Sequence, residues 1–117
     1  MPTDHARGLQ AQGLQAHGLQ ALFDRVVDAV LSGNEPDPHD AERLDLIAHD
    51  LFAASPLKGR PGERGARFPW AVLPLTATSG EMAHVALTER ARLPLPIVAV
   101  EGVFADEAEA RDAALEA

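Results

Sequence analysis

The stretch FPWAVLPLTATSGEMAHVALTERARLPLPIVAVEGVF, Phe68 to Phe104, decides the fold, because it holds the only Trp and nearly all the residues that favour strands over helices. Trp70-Ala71-Val72-Leu73 and Leu75-Thr76-Ala77-Thr78 read as a strand interrupted by Pro74, which cannot donate to a ladder and belongs on an edge or at a bulge. Ser79-Gly80 reads as a turn. Met82 to Thr88 fits two structures. As a strand it turns Ala83, Val85 and Leu87 one way and Met82, His84 and Ala86 the other; as a helix, Ser79 caps it and Met82, Ala83, Ala86 and Leu87 form a face. The strand is favoured, since a hairpin across Ser79-Gly80 needs no extra connection. Pro96 to Phe104, dense in Val and Ile and apolar on both faces except at Glu101, is expected to be a central strand.

Beyond it, Asp106 opens a last helix, with Glu109 placed to complete a capping box and Ala110, Ala113, Ala114 and Ala117 as a small-residue face. A strand running through Gly102-Val103-Phe104 into an acidic, Ala-rich helix resembles the strand-helix step of many small α+β domains, peptidoglycan-binding SPOR repeats and ferredoxin-like folds among them, and carries no site residue over. On the other side, Leu57 to Arg67 has Gly59, Pro61, Gly62 and Gly65 and no periodicity, the composition of an exposed loop. Before that loop two amphipathic helices are expected to pack as a hairpin. Leu19, Leu22, Phe23, Val26, Val27 and Val30 share one side of the first, which Ser32-Gly33-Asn34 ends. Asp37 caps the second, Pro38 suits its first position, Leu44, Ile47, Ala48, Leu51 and Phe52 recur along it, and Ser55-Pro56 stops it.

Residues 1–18 read as a low-complexity, disordered arm and 19–117 as one α+β domain. The arm carries a pentapeptide repeat, Gly8 to Gln12, Gly13 to His17 and Gly18 to Leu22. Five residues advance a helix by about 500°, so successive Leu residues rotate by roughly 140° and form no stripe. The fold class is therefore α+β: an N-terminal helical hairpin, a small mainly antiparallel sheet and a C-terminal helix.

Composition narrows the function more by exclusion than by indication. The chain has 117 residues, no Cys, one Trp and four Phe, so its core is aliphatic and thiolate chemistry and Cys-bound zinc are excluded. No run of about 18 apolar residues and no leader pattern is visible, which makes a soluble, cytoplasmic, non-membrane protein the expectation. The net charge of −8 repels nucleic acid except where positive charge is concentrated. Lys58, Arg60, Arg64 and Arg67, with only Glu63 among them, give that segment +3 and leave −11 for the remainder. Arg side chains on a Gly-rich segment can grip phosphates, and Trp70 lies near enough to stack on a base. The competing reading folds those Arg residues onto acidic helices of the same molecule.

Other constellations are thinner. Asp45 and His49 at four-residue spacing, with Glu42 close to the same face and His39 on the same helix, are weak metal candidates, since a single helix supplies two ligands where zinc wants three or four. Ser79, Glu81 and His84 lack the strand-to-helix elbow of a nucleophile and read as turn chemistry. Glu101, if buried, would want His84, Arg90 or Arg92; if it sits beside Gly102 at a bulge or an exposed face, nothing follows. Lys58 is not preceded by a phosphate loop, so no nucleotide cofactor is expected. The leading function is a non-enzymatic protein-interaction or oligomerisation module that pairs with itself or another protein; the alternative is an anion- or RNA-binding accessory protein acting through the loop 58–67.

Overall fold

A computed structural model describes residues 18–91 and 93–117. The repeat-bearing arm, Gly18 apart, lies outside the described residues. Four strands, β1 (Leu57–Gly59), β2 (Trp70–Thr76), β3 (Met82–Ala91) and β4 (Ile97–Phe104), follow one another in space as in sequence and pair antiparallel throughout. Helices α1 (Leu19–Leu31), α2 (Pro38–Leu46) and α3 (Ala48–Ala54) cover one face, and α4 (Glu107–Glu116) covers the other. This is the α+β class, with the C-terminal helix where the sequence puts it.

The first core joins Leu22, Val26, Leu44 and Leu51 to Ala71, Leu75, Val85 and Leu87. The strand reading of Met82 to Thr88 holds, down to its parity: Ala83, Val85 and Leu87 all face this core. The second core is smaller, with Ala110 and Ala114 of α4 set against Trp70, Val72 and Ala86. Small side chains let α4 approach the sheet closely while burying little apolar area.

Local chemistry explains the ends. Gly33 takes φ 84, so its N–H reaches the Val30 carbonyl while Asn34 N–H reaches that of Ala29, the paired closure of a Schellman motif. Asp37 accepts from His39 N–H with Pro38 behind it, and Asp106 accepts from Ala108 N–H. The second helix, read as continuous, is divided at Ile47, where φ is −110°. The bend has a structural use: α2 lies against α1, where the Arg25 guanidinium donates to both oxygens of the buried Asp40, while α3 packs on β2 and β4. No Gly or Pro marks the spot.

Three further expectations need correction. Leu57–Gly59 is not loop but a short strand pairing Trp70 to Val72. It forms because Gly59 lets the Trp70 indole lie flat across its backbone, in space a Cβ would occupy. Pro74 does not break β2; it pairs with His84 on the β3 side and lies past the end of β1, where no ladder bond is demanded of it. Finally, the Val/Ile strand is not central. β4 is the sheet edge, and the register moves from Ala86↔Gly102 to Leu87↔Val100, so Glu101 is an extra residue in a bulge. That bulge reverses the alternation: Val98 and Val100 before it and Val103 after it all reach the helix-side core. Apolar residues at both parities therefore serve one buried face.

Candidate interaction surface

β4 has no buried residue along its length, although seven of its eight are apolar or Gly. Its outer edge is one of the two unpaired margins of the sheet, the other being that of the three-residue β1. The connection into it, Leu93-Pro94-Leu95-Pro96, continues the apolar character outward: Leu93 is 83%, Leu95 71% and Ile97 57% exposed. Beside the C-terminal half of β4 lies a groove of about 530 Å³, where the Asn34–Pro36 segment and α2 overhang the strand. Ala41, Leu44, Val103 and Phe104 give it apolar walls, and Glu35 and Asp45 line it with acid. Phe104 can lie back over the strand because Gly102 offers no side chain to oppose its ring.

At the bulge, Glu101 meets two of its neighbours on β3. Its Oε2 accepts from Thr88 Oγ1 and from the Arg90 guanidinium, both at 2.6 Å, while Arg90 Nε donates to Thr88 Oγ1. Arg90 also stands over the Phe68 ring at 4.3 Å. Thr88 is wholly buried. The carboxylate is thus fixed by a hydroxyl and a guanidinium, an arrangement that holds the bulge and the β3–β4 register. His84, a partner the sequence also offered, is elsewhere on the strand with its Nδ1 buried and without a hydrogen-bond partner among the described residues.

The basic segment is distributed over several jobs. Lys58 donates to the Ala53 carbonyl in the last turn of α3 and sits 5.7 Å from the Phe52 ring, the placement that suits a cation at a helix C-terminus. Arg60 N–H is taken by the Glu63 carboxylate. Arg64, in the left-handed region at φ 53, and Arg67 line a hollow with Asp112 and Glu116 near the end of α4. Trp70, read as a stacking platform, is 4% exposed under the second core with its face against Gly59, so its ring is not presented to a base. Its Nε1 is buried and has no hydrogen-bond partner among the described residues.

The metal candidates do not converge. The division at Ile47 puts Glu42 and Asp45 on α2 and His49 on α3, and among the described residues no three His, Asp or Glu side chains are placed to hold a metal ion. Ser79 Oγ donates to Glu81 and accepts from its N–H, which is turn chemistry.

Two carboxylates are displaced from their ordinary range. Asp24 is held low by the Thr78 backbone N–H first, then by the Gln20 amide and the Thr78 hydroxyl, a clasp between α1 and the β2–β3 turn. Asp40 is held low chiefly by its hydrogen bonds from Arg25, whose own pKa is raised by the same contact.

The exposed Leu-Pro-Leu-Pro connection is the feature the sequence reading passed over. Its signal was present: two Pro in alternation with two Leu can neither propagate a helix nor donate along a ladder. Among the described residues no helix is long and apolar enough to cross a membrane. No protein-family model, no curated protein and no solved structure matches the chain, so its role is argued from the edge strand, its apolar tip and the groove beside it.

Proposed function

We propose that this chain is a non-enzymatic protein-interaction module that self-associates through the β4 edge and the Leu93 to Ile97 tip. The observation that carries this reading is an eight-residue, Val-rich edge strand, only half-buried from Val98 to Phe104, with an exposed apolar tip leading into it. Edge strands in monomeric proteins are ordinarily short, charged or covered, because unpaired N–H and C=O groups template pairing with another chain. Here the one charge in the strand, Glu101, is already engaged by Arg90 and Thr88. The loop 58–67 supports RNA or anion binding less well, since Lys58 caps α3 and Trp70 is covered.

The test is sedimentation of the wild type and of a Leu93→Asp/Leu95→Asp double variant. Both side chains lie outside either core, so the variant should stay folded, its melting temperature lowered only by the loss of association. The wild type is expected above the 12.4 kDa of one chain at micromolar concentration and the variant at that mass. A monomeric wild type, or a variant that associates equally, refutes the reading.

A further inference from the structure

We infer that the groove beside β4 receives an extended segment of another protein, one in which basic and apolar residues alternate, added as a fifth strand along Val100 to Phe104. The inference goes beyond the reading above: it shares the β4 edge with self-association and does not depend on it. Five consecutive residues, Val100 to Phe104, line this groove. Consecutive strand residues point to opposite faces, so a hollow that touches all five opens on the edge of the strand rather than on one face. At that edge β4 has no neighbouring strand, and its outward N–H and C=O groups have ladder bonds still to make. An extended chain laid there gains main-chain hydrogen bonds whatever its sequence, and the walls decide which sequence is preferred. Five residues at about 3.3 Å span about 16 Å, so a segment of about five residues fills the site.

The two walls differ in chemistry. On the helix side stand Glu35, from the α1–α2 connection, and Asp45, from α2, beside Leu44 and Val103. Both carboxylates are exposed, and neither has an ion-pair partner among the described residues. Glu101, the third acid here, has its carboxylate taken by Arg90 and Thr88. Among the described residues no Lys, Arg or His lines the groove, so its charge is uniformly negative. The other wall is the Phe104 ring, which belongs with the second core. An added strand alternates as β4 does. A basic residue at every second position therefore meets Glu35 and Asp45, while the apolar residues between meet Phe104. The net charge of −8 draws such a segment in, and the two free carboxylates fix its parity. The chain's own Leu93 to Pro96 tip has no charge to offer here and, at Pro94 and Pro96, no N–H for the ladder.

The probe is a fluorescein-labelled peptide, Val-Arg-Val-Arg-Val, blocked at its C-terminus and titrated by anisotropy. Its isomer Val-Arg-Arg-Val-Val carries the same charge but sends its two Arg to opposite faces. The titrations use the full-length wild type and the Leu93→Asp/Leu95→Asp variant, the latter so that a second copy on the edge cannot mask the peptide. The alternating peptide should bind about tenfold tighter than the isomer, and its affinity should fall as salt is raised, the reverse of an apolar association. Glu35→Gln/Asp45→Asn should weaken binding about tenfold with the melting temperature retained. Asp112→Asn/Glu116→Gln removes the same charge from α4 and should bind as the wild type does. Equal binding of the two peptides, equal loss in the two acid-removal variants, or no binding at all overturns the inference. A monomeric chain that binds the alternating peptide refutes self-association and keeps this inference; an associating chain that ignores the peptide does the reverse.

Discussion

Replacing Gly59 by Ala tests whether β1 exists because a glycine makes room for the only indole. A Cβ built there would lie 2.1 Å from both Cε2 and Nε1 of Trp70 and 2.4 Å from Cζ2. Carbon pairs rest at about 3.5–4.0 Å, so the ring or the strand must move by roughly 1.5 Å. Two effects oppose each other. Ala restricts the unfolded chain and would stabilise by about 0.4–1 kcal/mol where the native geometry tolerates it. Overpacking costs about 1–3 kcal/mol, and here the obstructing group is a large, buried ring whose other side is held by the α4 core. The clash wins, leaving a net loss of about 1–2 kcal/mol, or roughly 4–16 °C in Tm for a chain of this size. Thermal unfolding followed by Trp70 fluorescence reads both consequences, since no other indole contributes. The folded emission should move to longer wavelength as the ring is pushed toward water. Combining Gly59→Ala with Trp70→Leu should recover much of the coupling, because the smaller side chain no longer occupies the Cβ position. An unshifted emission with Tm equal to or above the wild type would refute the argument.

Other expectations are shorter. Leu87→Ala, in the middle of the sheet and fully buried, should cost about 2–5 kcal/mol by denaturant titration, while Leu95→Ala should cost less than about 0.5 kcal/mol. Asp40→Asn should remove part of the acid-side loss of stability. The folded carboxyl is held below its unfolded value by Arg25, so its contribution is present above about pH 4 and disappears as pH falls through the lower folded value, which a pH series of melts resolves. Thr88→Val keeps the shape but withdraws the hydroxyl between Glu101 and Arg90, and should speed amide exchange around the bulge by about tenfold with little change elsewhere. Self-association should strengthen as salt is raised, because the copies share a charge of −8 and meet through apolar groups.

The elements were legible where a pattern is local. Helix α1 follows from Leu19, Leu22, Phe23, Val26 and Val27, and its end from Gly33, since periodicity and a left-handed closure are properties of a few adjacent residues. The β2–β3 hairpin was equally readable from Ser79-Gly80. The position of β4 was not. Val and Ile at both parities are the mark of a strand buried on two faces, and only the register against β3 shows that Glu101 resets the alternation so that Val98, Val100 and Val103 share one face. The break at Ile47 was hidden for a like reason: it answers to Asp40 meeting Arg25 on another helix, and no residue nearby announces it. The candidate surface was half legible. Excess strand-type apolar surface was foreseen, but its place at an edge, beside a groove made by the α1–α2 connection, is a product of the assembled fold.

The two margins of the sheet are unequal, and this sets an upper limit on growth. At the β1 margin the strand is three residues long, Pro74 of β2 stands just past it without an N–H, and the Thr76 carbonyl is already taken by the Gln20 amide. That margin is a poor template for a further strand. A sheet with one long margin and one poor one resembles a chain-terminated polymer: what joins β4 adds once, and two such molecules meeting long margin to long margin would present only the poor ones to anything after them. Exposed strand surface of this kind is ordinarily a fibre hazard; the proposed self-association, meeting open side to open side, would stop at two.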